Sequence, residues 1–75
     1  MDERLFRFSM QFNYAEYLPF YRGDIDRIEV RSYQGQVLWI HPRHFRRFVT
    51  ASGLKGNFEL QLDQDGRLLS LTKLS

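Results

Sequence analysis

Leu5-Phe6-Arg7-Phe8-Ser9-Met10-Gln11-Phe12 alternates residue by residue: Phe6, Phe8, Met10 and Phe12 project to one side, Arg7, Ser9 and Gln11 to the other. A period of two marks a half-buried strand, so the chain opens on a sheet with one oily face. The same alternation returns at residues 57–62 through Phe58, Leu60 and Leu62. Asp63-Gln64-Asp65-Gly66 then turns the chain, and residues 67–74 close a hairpin.

Between these segments lie two more strands and two helical stretches. Asn13 suits a helix N-cap, and Glu16 stands three residues on, where a capping box places a carboxylate. Tyr14, Tyr17, Leu18 and Tyr21 follow at helical spacing. Pro19 has no N–H for the carbonyl of Ala15, which predicts a short or kinked helix stopped by Gly23. Residues 25–33 read as a strand, with Ile28 and Val30 set among Arg27, Glu29 and Arg31. Gln34-Gly35 makes a turn into a third strand at 36–41. Pro42 opens a second helix to about residue 49, with Phe45, Phe48 and Val49 inward and Arg43, Arg46 and Arg47 towards solvent. The order β-α-β-β-α-β-β predicts an α+β fold: a small, mainly antiparallel five-stranded sheet with two short helices.

Size and composition bound the rest. Seventy-five residues make a single domain over 1–75, because so short a chain cannot divide its apolar residues between two cores. The chain has no cysteine, which removes disulfides and thiolate zinc sites as staples. Seven Phe, four Tyr and one Trp supply aromatic packing instead. Met1-Asp2-Glu3-Arg4 leads into alternating residues and not into an apolar secretory core. No stretch approaches the ~20 apolar residues that span a bilayer. The expectation is a cytoplasmic protein without a membrane partner.

Val37-Leu38-Trp39-Ile40 is apolar at both parities, so this strand needs cover on both faces. The last strand behaves similarly, with Leu69 and Leu71 on one side and Leu68 and Leu74 on the other. Two short helices do not cover two sheet faces. Leu38, Trp39 and Ile40 are therefore the candidate interface of an isologous homodimer, or of a complex with another protein.

Catalytic signals are missing. His41 and His44 could share a helix face, yet a metal needs three or four converging ligands, and Arg43 and Arg46 beside them oppose a cation. Gly53-Leu54-Lys55-Gly56 matches a nucleic-acid-clamping GxxG loop, but that loop joins two helices and here a strand pattern follows. Asp63 and Asp65 suit a hairpin turn, and the paired Asp24 and Asp26 lack an apolar cleft to part their pKa values. No catalytic, cofactor-binding or metal residue is assigned, and no cofactor is expected. Arg43, Arg46 and Arg47, with Lys55 in the next loop, are candidate nucleic-acid contacts. The net charge of +2 is small for a dedicated nucleic-acid binder. The leading expectation is a non-enzymatic protein-interaction module, homodimeric, with weak nucleic-acid binding through the basic second helix as the alternative.

Tyr17-Leu18, Tyr21-Arg22-Gly23 and Val30-Arg31-Ser32 with Gly35 resemble the first half of a family of short bacterial proteins catalogued as domain of unknown function 2835. Pro42, Arg46, Phe48-Val49-Thr50, Gly53, Gly56-Asn57-Phe58 and Asp63 resemble its second half. Pro19, and Arg47 where the family more often has proline, depart from the pattern. The resemblance implies a bacterial cytoplasmic protein of about this length, and it carries no assigned activity.

Overall fold

The computed structural model describes residues 4–75; the opening residues read above for a targeting signal lie outside them. The elements run β1 (Arg4–Phe12), α1 (Tyr14–Tyr21), β2 (Ile28–Arg31), β3 (Val37–Ile40), a 3-10 helix (Pro42–Phe48), β4 (Leu54–Leu62) and β5 (Leu68–Lys73). No helix among the described residues is long and apolar enough to cross a membrane.

The α+β class holds, and every ladder is antiparallel, but the five strands do not form one sheet. They divide into a three-stranded sheet ordered β1-β4-β5 and a separate β2–β3 hairpin. The physical reason lies in the two faces of the larger sheet. Phe8 opposes Phe58 and Phe6 opposes Leu60, while Leu60 opposes Leu71, which makes the centre of one face apolar. The reverse face is polar, with Arg7 Nε donating to Glu59 Oε2 at 2.9 Å and Ser70 Oγ to Gln61 Oε1 at 3.3 Å. Two short helices cannot cover the apolar face alone. The hairpin supplies the remaining cover by turning Ile28, Val30 and Ile40 into the same core as Phe6, Phe8, Phe58 and Leu60. Its turn is tied to the sheet edge where the Tyr33 N–H donates to the Arg7 carbonyl at 2.8 Å.

Phe58 is the centre of this core. It stacks on Phe8 at 5.8 Å between ring centroids and receives Phe45 at 5.6 Å and Phe48 at 5.3 Å, both edge-on. Such offset and T-shaped pairs stabilise beyond the area they bury. In a chain without cysteine, this aromatic cluster takes the place of a covalent staple.

The helices hold the cover in place. Asn13 and Glu16 form the expected capping box, each side chain accepting the other's backbone N–H, at 2.8 and 2.9 Å. Pro19 sits inside α1 without ending it, and the helix is eight residues long. The second helix is a 3-10 helix, not an α-helix, and its three-residue period suits its sequence. Residues at i and i+3 eclipse in this geometry, so Pro42, Phe45 and Phe48 form one inward ridge. The buried Tyr17 hydroxyl joins the two helices by donating to the Pro42 carbonyl at 3.3 Å.

Phe58→Ala is expected to destabilise the domain by about 3–5 kcal/mol, a large share of the roughly 5–15 kcal/mol that holds a native domain together. Tyr17→Phe is expected to lose about 1 kcal/mol, the worth of one hydrogen bond. Urea titration followed by circular dichroism separates them: the midpoint falls steeply in the first variant and slightly in the second.

Candidate functional site

The hairpin that closes the core presents its other face to solvent. Glu29 stands opposite Trp39 and Arg31 opposite Val37, so these four side chains share the outer face. Trp39 is 59% exposed and Val37 41% exposed. The Arg27 guanidinium lies over the Trp39 ring at 5.0 Å from its centroid, and the exposed Ile25 lines the same shallow depression. An apolar centre rimmed by Asp24, Asp26, Arg27, Glu29 and Arg31 results.

Of the three candidate interface residues, only Trp39 is presented this way. Ile40 is in the core and Leu38 is packed against it. Val37, Ile25 and Arg27 accompany Trp39 on this outer side. The signal was available: once residues 28–31 pair with 37–40, the inward Ile28 and Val30 fix Ile40 and Leu38 inward and Val37 outward. All four β3 residues also border a groove of about 330 Å³ between β3 and the β4–β5 hairpin, faced by Leu60, Leu62 and Leu68.

The basic residues divide in two. Arg43, His44, Arg46 and Arg47 line a groove of about 460 Å³ along β5, from Leu68 to Leu71. The three-residue period puts Arg43 and Arg46 on one ridge of the 3-10 helix and His44 and Arg47 on the next. Arg46 lies over the Tyr21 ring at 5.4 Å. Arg47 lies over Phe48 and donates through Nη2 to the Leu71 carbonyl. Lys55 does not join them. Phe58 meets the 3-10 helix with one face of β4, and Lys55, three positions away and of opposite parity, is on the other face.

The remaining motifs serve the fold. His41 caps the 3-10 helix, its Nδ1 accepting the Arg43 N–H at 3.1 Å. Among the described residues no three His, Asp or Glu side chains converge as a metal set. Gly53 closes a tight turn with Thr50, each N–H donating to the other's carbonyl at 2.9 Å. Its φ is +112°, and a Cβ there would fall 2.2 Å from the Phe12 carbonyl oxygen. The Asp63 carboxylate accepts the N–H groups of Asp65 and Arg67, ordering the β4–β5 turn.

A family model described as protein of unknown function DUF2835 matches residues 4–74. The chain belongs to the DUF2835 family. No curated protein matches it, and no solved structure does. Of the two departures from the expected DUF2835 pattern, Arg47 lines the basic groove and Pro19 does not. Pro19 lies on α1, and Arg47 holds the edge of β5, where a proline would leave the Leu71 carbonyl without that donor.

Within this DUF2835 chain the cluster acts on the titration of His44. Burial lowers its pKa below the ordinary 6.5, and Arg43, His41 and Arg47 lower it further. A histidine whose folded pKa is depressed favours the native state fully above its unfolded value and loses that preference as pH falls through it. The thermal midpoint is therefore expected to decline between about pH 7 and pH 5, where histidine titrates. His44→Gln should flatten that decline; an unchanged slope in the variant would remove His44 as its cause.

Proposed function

We propose that this DUF2835 chain is a non-enzymatic protein-interaction module that works through the outer face of its β2–β3 hairpin, and that it self-associates. One observation carries the reading: Trp39, the single tryptophan of the chain, is more than half exposed on a strand beside a second exposed apolar residue, Val37. Large exposed apolar side chains grouped inside a charged rim are what a protein partner covers. Covering a side chain of this size contributes about 1.5–3 kcal/mol, and tryptophan is enriched among the residues that dominate interfaces. The reverse face of the three-stranded sheet carries the Arg7–Glu59 and Ser70–Gln61 hydrogen bonds, with Leu5 and Tyr33 exposed beside Arg7.

A second reading, contact with a polyanion such as nucleic acid, is favoured by one observation: Arg43, Arg46 and Arg47 line a single groove. Two of these cations are already engaged, Arg46 with Tyr21 and Arg47 with Leu71. Lys55 lies on the opposite side of the sheet, which shortens the phosphate track.

Capture of partners by the tagged chain from its native host, with and without nuclease, distinguishes the two. The interaction reading expects nuclease-resistant protein partners that Trp39→Lys loses and the double variant Arg43→Ala, Arg46→Ala retains. Partners lost on nuclease treatment and in the arginine variant, but kept by Trp39→Lys, would overturn it in favour of the second reading.

A further inference from the structure

We infer that a second copy of this chain docks edge to edge on β3, pairing the two β3 strands antiparallel about Leu38; this rests on the interaction reading above and specifies its partner and geometry. The hydrogen-bond phase of the hairpin decides which backbone groups of β3 face outward. Ser32 N–H donates to the Gln36 carbonyl at 2.8 Å, and the register continues through Arg31–Val37, Val30–Leu38, Glu29–Trp39 and Ile28–Ile40. Antiparallel pairs alternate between those that exchange hydrogen bonds and those that do not. Val30–Leu38 and Ile28–Ile40 therefore exchange them within the hairpin. The peptide groups of Val37 and Trp39 point the other way, to an edge that pairs with no strand among the described residues.

The other free edges are defended, and this one is not. Natural sheets blunt their edges with charge, bulges or covering segments. β5 is flanked by Arg43, Arg46 and Arg47, carries Lys73, has its Leu71 carbonyl occupied by Arg47, and is irregular opposite Gln61 and Leu62. On β1, Arg4 and Arg7 are charged and the Arg7 carbonyl is taken by Tyr33. β2 carries Glu29 and Arg31. Val37-Leu38-Trp39-Ile40 has no charge and no proline. A copy approaching β5 meets cations along its edge, whereas β3 itself carries none and Arg27 lies over the outer face of Trp39.

The β3 edge is also complementary to itself. With the two-fold axis at Leu38, Val37 of one copy faces Trp39 of the other, and each such pair exchanges two hydrogen bonds. The four outward N–H and C=O groups of each copy are thereby satisfied. Small meets large on the outer face, and Leu38 meets Leu38 on the face that lines the groove. The registers centred on Val37 or Trp39 set Arg31 in one row with Arg31, or Glu29 with Glu29. The Leu38-centred register sets Arg31 in one row with Glu29. The product is a four-stranded sheet in the order β2-β3-β3-β2, closed and isologous.

Sedimentation of the full chain at about 100 µM, where a dimer of micromolar Kd is filled, is expected to give twice the chain mass of 9.1 kDa. Two variants test the edge. Val37→Lys puts a charge on an exposed side chain, and Val37→Pro removes an outward N–H at a position where edge strands tolerate proline. Both should sediment at the monomer mass with their circular dichroism and thermal midpoint nearly kept, and Trp39 emission should move to the red as in dilute wild type. A wild-type monomer at that concentration, or a dimer that survives both substitutions, overturns the inference. A wild-type monomer that still loses its captured partners through Trp39→Lys defeats strand pairing while the interaction reading stands.

Discussion

The apolar face of the β1-β4-β5 sheet sets the terms for the whole molecule. Phe6, Phe8, Phe58, Leu60 and Leu71 lie on it, and its reverse is mainly polar. A face of that kind has to be covered, and a chain of 75 residues has little to cover it with. Tyr17 from α1 and Phe45 from the 3-10 helix close part of it, and the β2–β3 hairpin closes the rest. Without disulfides, the interlocked rings of Phe8, Phe45, Phe48 and Phe58 hold these pieces in register.

Using a hairpin as a lid has a consequence that a helix would avoid. A strand has two faces and two edges, and only one face of β3 is spent on the core. Ile40 and Leu38 go inward; Val37 and Trp39 are left outward, and their peptide groups are left at an open edge. The same economy shapes the basic segment. A 3-10 helix puts Pro42, Phe45 and Phe48 in a single line against the sheet, which leaves the two remaining ridges to Arg43 with Arg46 and to His44 with Arg47. One arginine then guards the edge of β5, so that the fold protects one sheet edge and leaves the other bare.

Much of this was legible in the sequence because local signals agreed with one another. The alternation around Phe6 and Phe58, the Asn13–Glu16 capping box and the Gln34-Gly35 and Asp65-Gly66 turns each identify an element, and the doubly apolar β3 is evident by inspection. The separation into two sheets was not legible, since alternation states which residues share a face and is silent on which sheet a strand joins. The same gap hid the inward orientation of Leu38 and Ile40. Their orientation depends on the pairing of β3 with β2, a fact about register and not about composition. Lys55 was grouped with the arginines because it is near them in sequence, whereas strand parity sends it through the sheet to the other side. The 3-10 geometry was hidden too: Phe45, Phe48 and Val49 fit an α-helical stripe as well as Pro42, Phe45 and Phe48 fit a three-residue one.

The central claim is that β3 is paired on one side only, as half of a lid and not as a member of a five-stranded sheet. Amide hydrogen exchange on the chain at a dilution where it is monomeric reads this directly, residue by residue. The account predicts slow exchange for Leu38 and Ile40, whose N–H groups bond to β2, and fast exchange for Val37 and Trp39 between them. Equal protection of all four amides in the monomer would contradict it, because a second strand would then lie along the edge that the fold leaves open.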